Sequence, residues 1–412
     1  MITRTLESKL NRKEIIVTKL LEGSYLNNRI PDEEYHQRLM KIRNALALEN
    51  LDVGIAYATE HMPGDVQYLT GYDPHIENVA LIVTPEKLIA LGGAEGARMF
   101  EDSARFGEWR NLTLFEIPFQ DYGDTKFWSL TEVLKDALGT LPDEIGILSA
   151  NNVMSTEMMA LLGQEGVNLK TRDVSHILAT ARYEKSPAEL KMYRIASAIA
   201  TEAMRAVLDR VQPGVRELEL AAHADYVMKK LGAYNYGFDA VICSGPRINT
   251  IIGRSSNKLI GEGEMVMLGV SPRYEGYTSA LGRTVVAGKS TAEQRDFLNH
   301  GIEAYERAAS QFKLGNPART VDGAAREYLT AVGLGAYHTY GVGHGIGFTE
   351  CLEGKTATIS SDYDLPKGIA MMLDVGLFGV PEHFGARHEN PHLINHEGES
   401  ELLTELQMKV FA

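Results

Sequence analysis

Cysteine, long apolar runs and positive charge are all scarce in this 412-residue chain, and each shortage excludes a class of protein. Two cysteines, Cys243 and Cys351, are too few for a disulfide framework or a thiolate metal site. No apolar run approaches the ~18–20 residues that cross a bilayer, and the first residues contain no apolar segment of the secretory type. Because 55 acidic residues outnumber 41 basic ones, a nucleic-acid or anionic-membrane partner is not expected. The sequence therefore favours a cytoplasmic protein.

The pattern of apolar residues predicts a small N-terminal domain after an N-terminal extension. Residues 1–30 are polar and weakly periodic, which indicates a helical extension. Over residues 31–178, short apolar strands such as Val79–Val83 and Leu112–Ile117 alternate with amphipathic helices. This alternation is typical of an α/β domain.

A strong helix-starting signal marks the beginning of a second domain. Ser186 suits the N-cap, Pro187 the first helical position, and Glu189 completes a capping box. A long helix is predicted from there, followed by mixed helices and strands to the end of the chain. The second domain is therefore expected over residues 179–412.

One motif in this second domain, EMVMLGVSPRYEGYTSALGRT over residues 264–284, predicts a two-stranded hairpin. Its layout resembles the signature of the "pita-bread" hydrolases, which include prolidase, aminopeptidase P, methionine aminopeptidase and creatinase. The order of elements matches the creatinase and prolidase architecture over nearly the whole chain. The resemblance implies an α+β pita-bread C-terminal domain preceded by a smaller creatinase-like α/β domain.

Two residues of the hairpin differ from the pattern of the metallopeptidases in this family. An aspartate stands in those enzymes where this chain has Gly269, and a second where it has Ala280. Those aspartates bridge a pair of metal ions, whereas glycine and alanine offer no side-chain ligand atom. The resemblance therefore implies that the dinuclear site cannot form, and the main interpretation includes no cofactor.

Three further motifs match the family, and each carries one ionisable residue: GVGHGIG with His344, MMLDVGLF with Asp374, and GARHEN with Glu389. In this resemblance the three residues are the catalytic candidates. They could act as acid, base and orienting group without metal, or hold a single retained metal ion. Strand alternation places His388 on the face opposite Glu389, so His388 is expected to be structural.

Substrate-binding candidates come from the loops and from the comparison with creatinase. Arg247 and Arg254 suit forked hydrogen bonds to an anionic group, although solvated loop arginines are an equal alternative. Arg387 either pairs with a buried carboxylate or contacts substrate. The resemblance to creatinase adds Tyr277 of the hairpin, Lys355 at a carboxylate-binding position, and Glu77 at a position reached from the partner subunit. These charges suit a zwitterionic amino-acid derivative, and the resemblance implies a homodimer.

Three functions follow from these residues. The main interpretation is a creatinase-like hydrolase that cleaves a C–N bond (amidine, amide or cyclic amidine) of a small amino-acid derivative without a dinuclear metal centre. Peptidase activity is doubted, because the family's substrate histidine aligns with Ile252. The alternatives are an Xaa-Pro dipeptidase-type metallohydrolase with one retained metal, and a non-catalytic binding protein on a peptidase scaffold.

Overall fold

The computed structural model describes residues 29–164, 169–351 and 353–409. Within them the chain divides into one compact unit over Ile30–Arg182 and a second that begins at Tyr183. The helical extension expected over residues 1–30 lies, up to residue 28, outside the described residues. Among the helices that the structure describes, none combines the length and the hydropathy needed to cross a membrane.

The first unit contains a six-stranded sheet with helices packed against it. Its strands are β1 (Gly54–Ala58), β2 (Val79–Val83), β3 (Leu88–Gly92), β4 (Glu108–Asn111), β5 (Glu144–Ile147) and β6 (Lys170–Asp173), in the sheet order β4-β3-β2-β1-β5-β6. Its helices are α1 (Asp32–Leu48), α2 (Gly64–Thr70), α3 (Gly96–Ser103), α4 (Leu130–Leu138), α5 (Thr156–Leu162) and α6 (His176–Tyr183). The three central apolar strands are buried along their whole length because layers cover both faces of the sheet.

The strand expected over Leu112–Ile117 is wrong. The strand at this sheet edge is β4, which pairs in parallel with β3 and ends at Asn111. Leu112 forms an isolated bridge to Trp128, and residues Thr113–Phe115 then turn into a short 3₁₀ helix. The residues of β4 (EWRN) show no apolar alternation, because β4 lies at the sheet edge and is only partly buried.

The second unit is built on a nine-stranded sheet flanked by long helices. Its helices are α7 (Pro187–Leu208), α8 (Glu217–Lys230), α9 (Ala292–Gln311) and α10 (Arg319–Ala331), with 3₁₀ turns at Gly245–Thr250 and Gly335–Tyr337. Its strands are β7 (Asn235–Ser244), β8 (Met265–Tyr274), β9 (Tyr277–Thr278), β10 (Leu281–Val286), β11 (Gly343–Gly345), β12 (Thr356–Ala357), β13 (Ile369–Val380), β14 (Phe384–Ile394) and β15 (Ser400–Leu402). The order is β12-β11-β13-β14-β10-β8-β7, with β15 on β14 and β9 on β8.

The helix α7 starts as the sequence predicts. The Ser186 side chain accepts a hydrogen bond from the backbone N–H of Glu189, and the Glu189 side chain accepts one from the backbone of Ser186. Pro187 occupies the first turn, where its missing N–H costs nothing. A cap of this kind stabilises a helix by about 1 kcal/mol, and it fixes where the second unit begins.

The register of the large sheet places four residues of the expected site in one row. Asp374 of β13 lies opposite Glu389 of β14, Glu389 opposite Gly282 of β10, and Gly282 opposite Gly269 of β8. Directly opposed residues of antiparallel strands project from the same face of a sheet. The row therefore presents two carboxylates beside two positions that have no side chain.

Candidate metal centre

His344, Asp374 and Glu389 come together although they lie on three different strands. One ligand atom of each residue lies within 4.8 Å of the others. His344 is on β11, directly opposite Met372 of the neighbouring β13, so it sits close to Asp374 two residues further along. Both carboxylates are buried and the imidazole is half-buried. The structure thus brings the three catalytic candidates into one pocket.

The imidazole of His344 is surrounded by acceptors on both sides. Its Nδ1 lies 3.4 Å from the carbonyl oxygen of Gly345, and its Nε2 lies 3.5 Å from Glu350 Oε1 and 3.7 Å from Glu389 Oε1. Desolvation alone would lower the pKa of His344, but the charges of Glu350 and Glu389 outweigh it and raise the pKa to about 9. The pocket therefore favours positive charge at this position.

One carboxylate oxygen of Asp374 has partners and the other has none among the described residues. Its Oδ2 accepts a hydrogen bond of 2.9 Å from the Tyr340 hydroxyl and lies 3.4 Å from Arg387 Nε. Its buried Oδ1 has no hydrogen-bond partner within the described residues. Burial raises the pKa of Asp374 to about 6, against the opposing charge of Arg387. Tyr340 and Arg387 thus fix the carboxylate while one oxygen points away unpaired.

In Glu389 the backbone oxygen is hydrogen-bonded, whereas one carboxylate oxygen is not bonded to any described residue. Its backbone oxygen accepts a hydrogen bond of 2.8 Å from Arg283, whereas its buried Oε2 finds no partner in the part of the chain that the structure describes. Unpaired buried oxygens of Asp374 and Glu389 are costly unless a cation satisfies them. His344 also has the arrangement common in metal-binding histidines, with one ring nitrogen facing a backbone carbonyl. These three side chains fit one metal ion.

A second metal ion does not fit the residues of the neighbouring strands. Gly269 lies in this row without a ligand atom, and Ala280, just before β10, also has none. A Cβ built at Gly269 would meet Val241 Cβ at 3.4 Å and the ring of Phe238 at 3.5 Å. The Phe238 ring therefore lies where a carboxylate at position 269 would have to extend.

The two loop arginines expected to bind substrate differ in their contacts within the described residues. Arg247 donates from Nε to the fully buried carboxylate of Glu217 at 3.0 Å and from Nη2 to the carbonyl of Arg254. The side chain of Arg254 is 88% exposed and lies 3.6 Å from Asp239. The contacts of Arg247 hold the loop after β7, and substrate binding by Arg247 and Arg254 stays a prediction.

Three other candidates also have partners. The Tyr277 hydroxyl donates to Glu189 at 2.8 Å. The exposed Lys355 places its ammonium 4.4 Å from the ring centre of Tyr363. Arg387 pairs with Asp374, which is the structural alternative of the two that the sequence left open.

Glu77 belongs to the N-terminal unit, where its carboxylate lies among Gly92, Gly93, Gly96 and Trp109. Desolvation raises the pKa of Glu77. Its approach to the site of a partner subunit remains a prediction.

Sequence reasoning missed two residues of the pocket. Tyr340 immediately precedes the GVGHGIG motif, and Glu350 follows His344 by six residues in the same segment. Their positions beside a motif were the available signal, but only the folded chain shows that Tyr340 reaches Asp374 and that Glu350 reaches His344.

His388 lies on the other side of β14, as strand alternation predicts. A Cβ built at Gly301 of α9 would meet the His388 ring at 2.4 Å, so the imidazole packs directly on this helix. Desolvation, with a smaller contribution from Arg283, lowers the pKa of His388 to about 3. His388 is therefore neutral and forms part of the packing between sheet and helix.

Comparison with known proteins places the chain in one family. Residues 191–396 match the model of metallopeptidase family M24. The chain is 30% identical over 280 residues to an Xaa-Pro dipeptidase of Pyrococcus furiosus, covering 67% of this chain and 77% of that protein. It is 26% identical over 357 residues to an Xaa-Pro dipeptidase of Lactobacillus helveticus, covering 85% and 93%. The fold resembles the prolidase from Pyrococcus horikoshii OT3 with a TM-score of 0.78 at 23% identity, over 91% of this chain and all of that one.

These findings confirm the pita-bread fold and correct the expected function. The matched relatives with a named activity are Xaa-Pro dipeptidases, so the creatinase-like, metal-independent hydrolase of the main interpretation is wrong. The doubt about peptidase activity loses its support for the same reason. The alternative with a retained metal agrees better with both the relatives and the three converging ligands. The chain belongs to metallopeptidase family M24, a family of hydrolases.

Proposed function

We propose that this protein is an Xaa-Pro dipeptidase-type metallohydrolase that works with a single metal ion held by His344, Asp374 and Glu389. The observation that carries the proposal is the pair of buried, unpartnered carboxylate oxygens, Asp374 Oδ1 and Glu389 Oε2, in a cluster with His344. The relatives named as Xaa-Pro dipeptidases support the reaction class.

The chain's own residues can orient the ligands and move protons. A metal ion at this position supplies Lewis-acid polarisation of a carbonyl group and makes water more acidic. Tyr340 and Arg387 hold Asp374 through Oδ2 and leave Oδ1 without a partner among the described residues. Glu350 lies 3.5 Å from His344 and has no ligand role, so it is placed to accept a proton from water and return it to the leaving amine. In this proposal Tyr340 and Arg387 orient Asp374, and Glu350 transfers protons.

The remaining features of the proposal concern substrate and assembly. An Xaa-Pro dipeptide is itself a zwitterionic amino-acid derivative, which agrees with the class of substrate expected from the sequence. We expect a cytoplasmic homodimer in which the loop around Tyr72–Asn78 meets the site of the partner subunit. A monomer at micromolar concentration in sedimentation experiments would contradict the dimer.

Metal analysis combined with a substrate panel tests the function. We expect about one tightly bound metal ion per chain, hydrolysis of Xaa-Pro dipeptides, and loss of that activity with chelator. Glu389→Gln should lose both metal and activity, because an amide replaces the charged ligand. Turnover that survives chelation, or two stoichiometric ions in the cleft, would refute the single-metal proposal.

A further inference from the structure

Arg273, near the end of β8, is a buried arginine, and part of its guanidinium group has no hydrogen-bond acceptor in the described part of the chain. The residue is only 3% exposed. Its Nε and Nη1 atoms are buried and have no hydrogen-bond acceptor among the described residues. Removing a guanidinium from water costs several kcal/mol unless acceptors replace the lost water. An acceptor is therefore missing at this position.

Other buried arginines of the chain differ from Arg273. Arg283, at 1% exposure, donates to the carbonyl oxygens of Gly282, Glu389 and Leu406 and to the side chain of Asn390. Arg38 donates to the Tyr68 carbonyl oxygen and to Glu34. Arg387 faces Asp374 and Tyr340. Arg283 and Arg387 also have a buried Nε without a partner, but both donate hydrogen bonds from their Nη atoms. The Arg273 side chain donates none within the described residues, which indicates an acceptor from outside the chain.

A second unpartnered donor lies on the same strand face. The Ser271 side chain is fully buried, and its hydroxyl has no partner within the described ranges. Alternation along β8 places Arg273, Ser271 and Gly269 on one face, which is the face of the metal-ligand row. A Cβ built at Gly237 would meet Ser271 Oγ at 2.3 Å and Glu350 Cβ at 3.1 Å. Ser271 therefore lies beside the segment that carries Glu350 to His344.

The spacing along β8 suits a small substrate. Four residues of strand separate the Cα atoms of Gly269 and Arg273 by about 13 Å. An arginine side chain extends about 7 Å from its Cα on ordinary bond lengths. The guanidinium then lies roughly 6–13 Å from the row of Gly269, and the lower value applies only if the side chain leans fully along the strand. A dipeptide, about 7 Å long, with a charge-assisted hydrogen bond of about 2.8 Å can span a distance within this range.

We propose that Arg273 and Ser271 form a subsite that binds the free carboxylate of the substrate. This inference rests on the proposed function, since it supplies the recognition of a small carboxylate-bearing substrate at the same site. The Arg273 guanidinium donates a charge-assisted hydrogen bond to the carboxylate, and the Ser271 hydroxyl donates another. The subsite makes the free acid a better substrate than its amide.

Kinetics with matched substrates test the subsite. Wild type, Arg273→Met and Arg273→Lys are compared on an Xaa-Pro dipeptide and on its C-terminal amide. We expect Arg273→Met to lower kcat/KM for the free acid by roughly 10- to 100-fold, mainly through KM, and to bring the ratio of acid to amide near one. Arg273→Lys should restore part of the preference. An unchanged ratio in Arg273→Met would overturn the subsite.

Binding to metal-free protein separates this inference from the proposed function. Calorimetry with L-proline and L-prolinamide should show a preference for the carboxylate in wild type and none in Arg273→Met. That result supports the subsite even if wild type hydrolyses neither dipeptide. An equal preference in both proteins overturns it.

Stability provides a third measurement with an internal control. Without ligand, Arg273→Met should raise Tm, because an uncompensated buried charge is removed. Arg283→Met should lower Tm, because it leaves four bonded oxygens without their donor. If Arg273→Met lowers Tm as much as Arg283→Met does, then Arg273 has a structural partner and the inference fails.

Discussion

Replacing Tyr340 by phenylalanine should weaken metal binding without removing a ligand. The Tyr340 hydroxyl donates a 2.9 Å hydrogen bond to Asp374 Oδ2. Burial, together with the charge of Asp374, raises the pKa of Tyr340, so the hydroxyl stays protonated and acts as a donor at all ordinary pH values. Without it Asp374 keeps only Arg387, whose Nε lies at 3.4 Å. The carboxylate can then rotate away from the cluster.

The size of the effect follows from the bond that is lost. A hydrogen bond to a charged group contributes about 1.5–3 kcal/mol, which corresponds to roughly a 10- to 100-fold change in an equilibrium constant. Loss of the partner that orients a metal ligand has a similar effect on metal affinity. We therefore expect the metal Kd of Tyr340→Phe to rise by about one to two orders of magnitude.

Competition with a chromophoric chelator measures this change directly. Tyr328→Phe is the matched control, because the Tyr328 hydroxyl forms a 2.8 Å bond with His300 on the helices α9 and α10. The control should keep the metal affinity of wild type. Equal metal affinity in Tyr340→Phe and wild type would refute the role given to Tyr340, and so would an equal loss in both variants.

Three further predictions concern other parts of the site. Gly269→Ala should be tolerated, because its Cβ would make ordinary contacts of 3.4 Å or more. Gly282→Ala should lower the unfolding free energy by about 1–3 kcal/mol and weaken metal binding, because its Cβ would lie 2.8 Å from both Arg387 and Glu389. Urea unfolding and metal titration of the two variants distinguish these outcomes. His344→Ala should abolish metal binding, whereas His388→Leu should retain it in elemental analysis; the reverse result would show that the site is assigned to the wrong face. Burial lowers the pKa of His392 to about 3, below the value of about 6.5 in the unfolded chain. Between these two pH values the unfolded chain binds more protons than the folded one, so the unfolding free energy falls as pH drops from about 6.5 to 3. In His392→Leu the unfolding free energy should depend less steeply on pH over that range, and an unchanged slope would contradict the reasoning.

Local signals in the sequence predicted much of the fold. The strand Val79–Val83 and the capping box at Ser186 have the positions that periodicity and cap chemistry indicate. The edge strand Glu108–Asn111 was not predicted, because its partly exposed residues carry no apolar pattern and its position is set by pairing with β3. Propensity therefore predicted the fully buried strands and failed at the sheet edge.

The candidate site was only partly predictable. Motifs pointed to His344, Asp374 and Glu389, and the fold brings them together. The sequence could not show that Arg247 is paired, because its partner Glu217 is 30 residues away. The missing contacts of Arg273 are likewise invisible in a sequence, since an unpaired atom is a property of its surroundings.

The Phe238 ring beside Gly269 has a consequence for how this site can change over evolutionary time. With the ring in place, an aspartate introduced at position 269 would be a desolvated charge against an aromatic surface. Shrinking Phe238 first would leave an empty volume next to Val241, which also carries a cost in stability. Either substitution alone thus lowers the stability of the protein, and only the two together avoid that cost. The Phe238 side chain therefore makes a second metal site hard to reach by single substitutions.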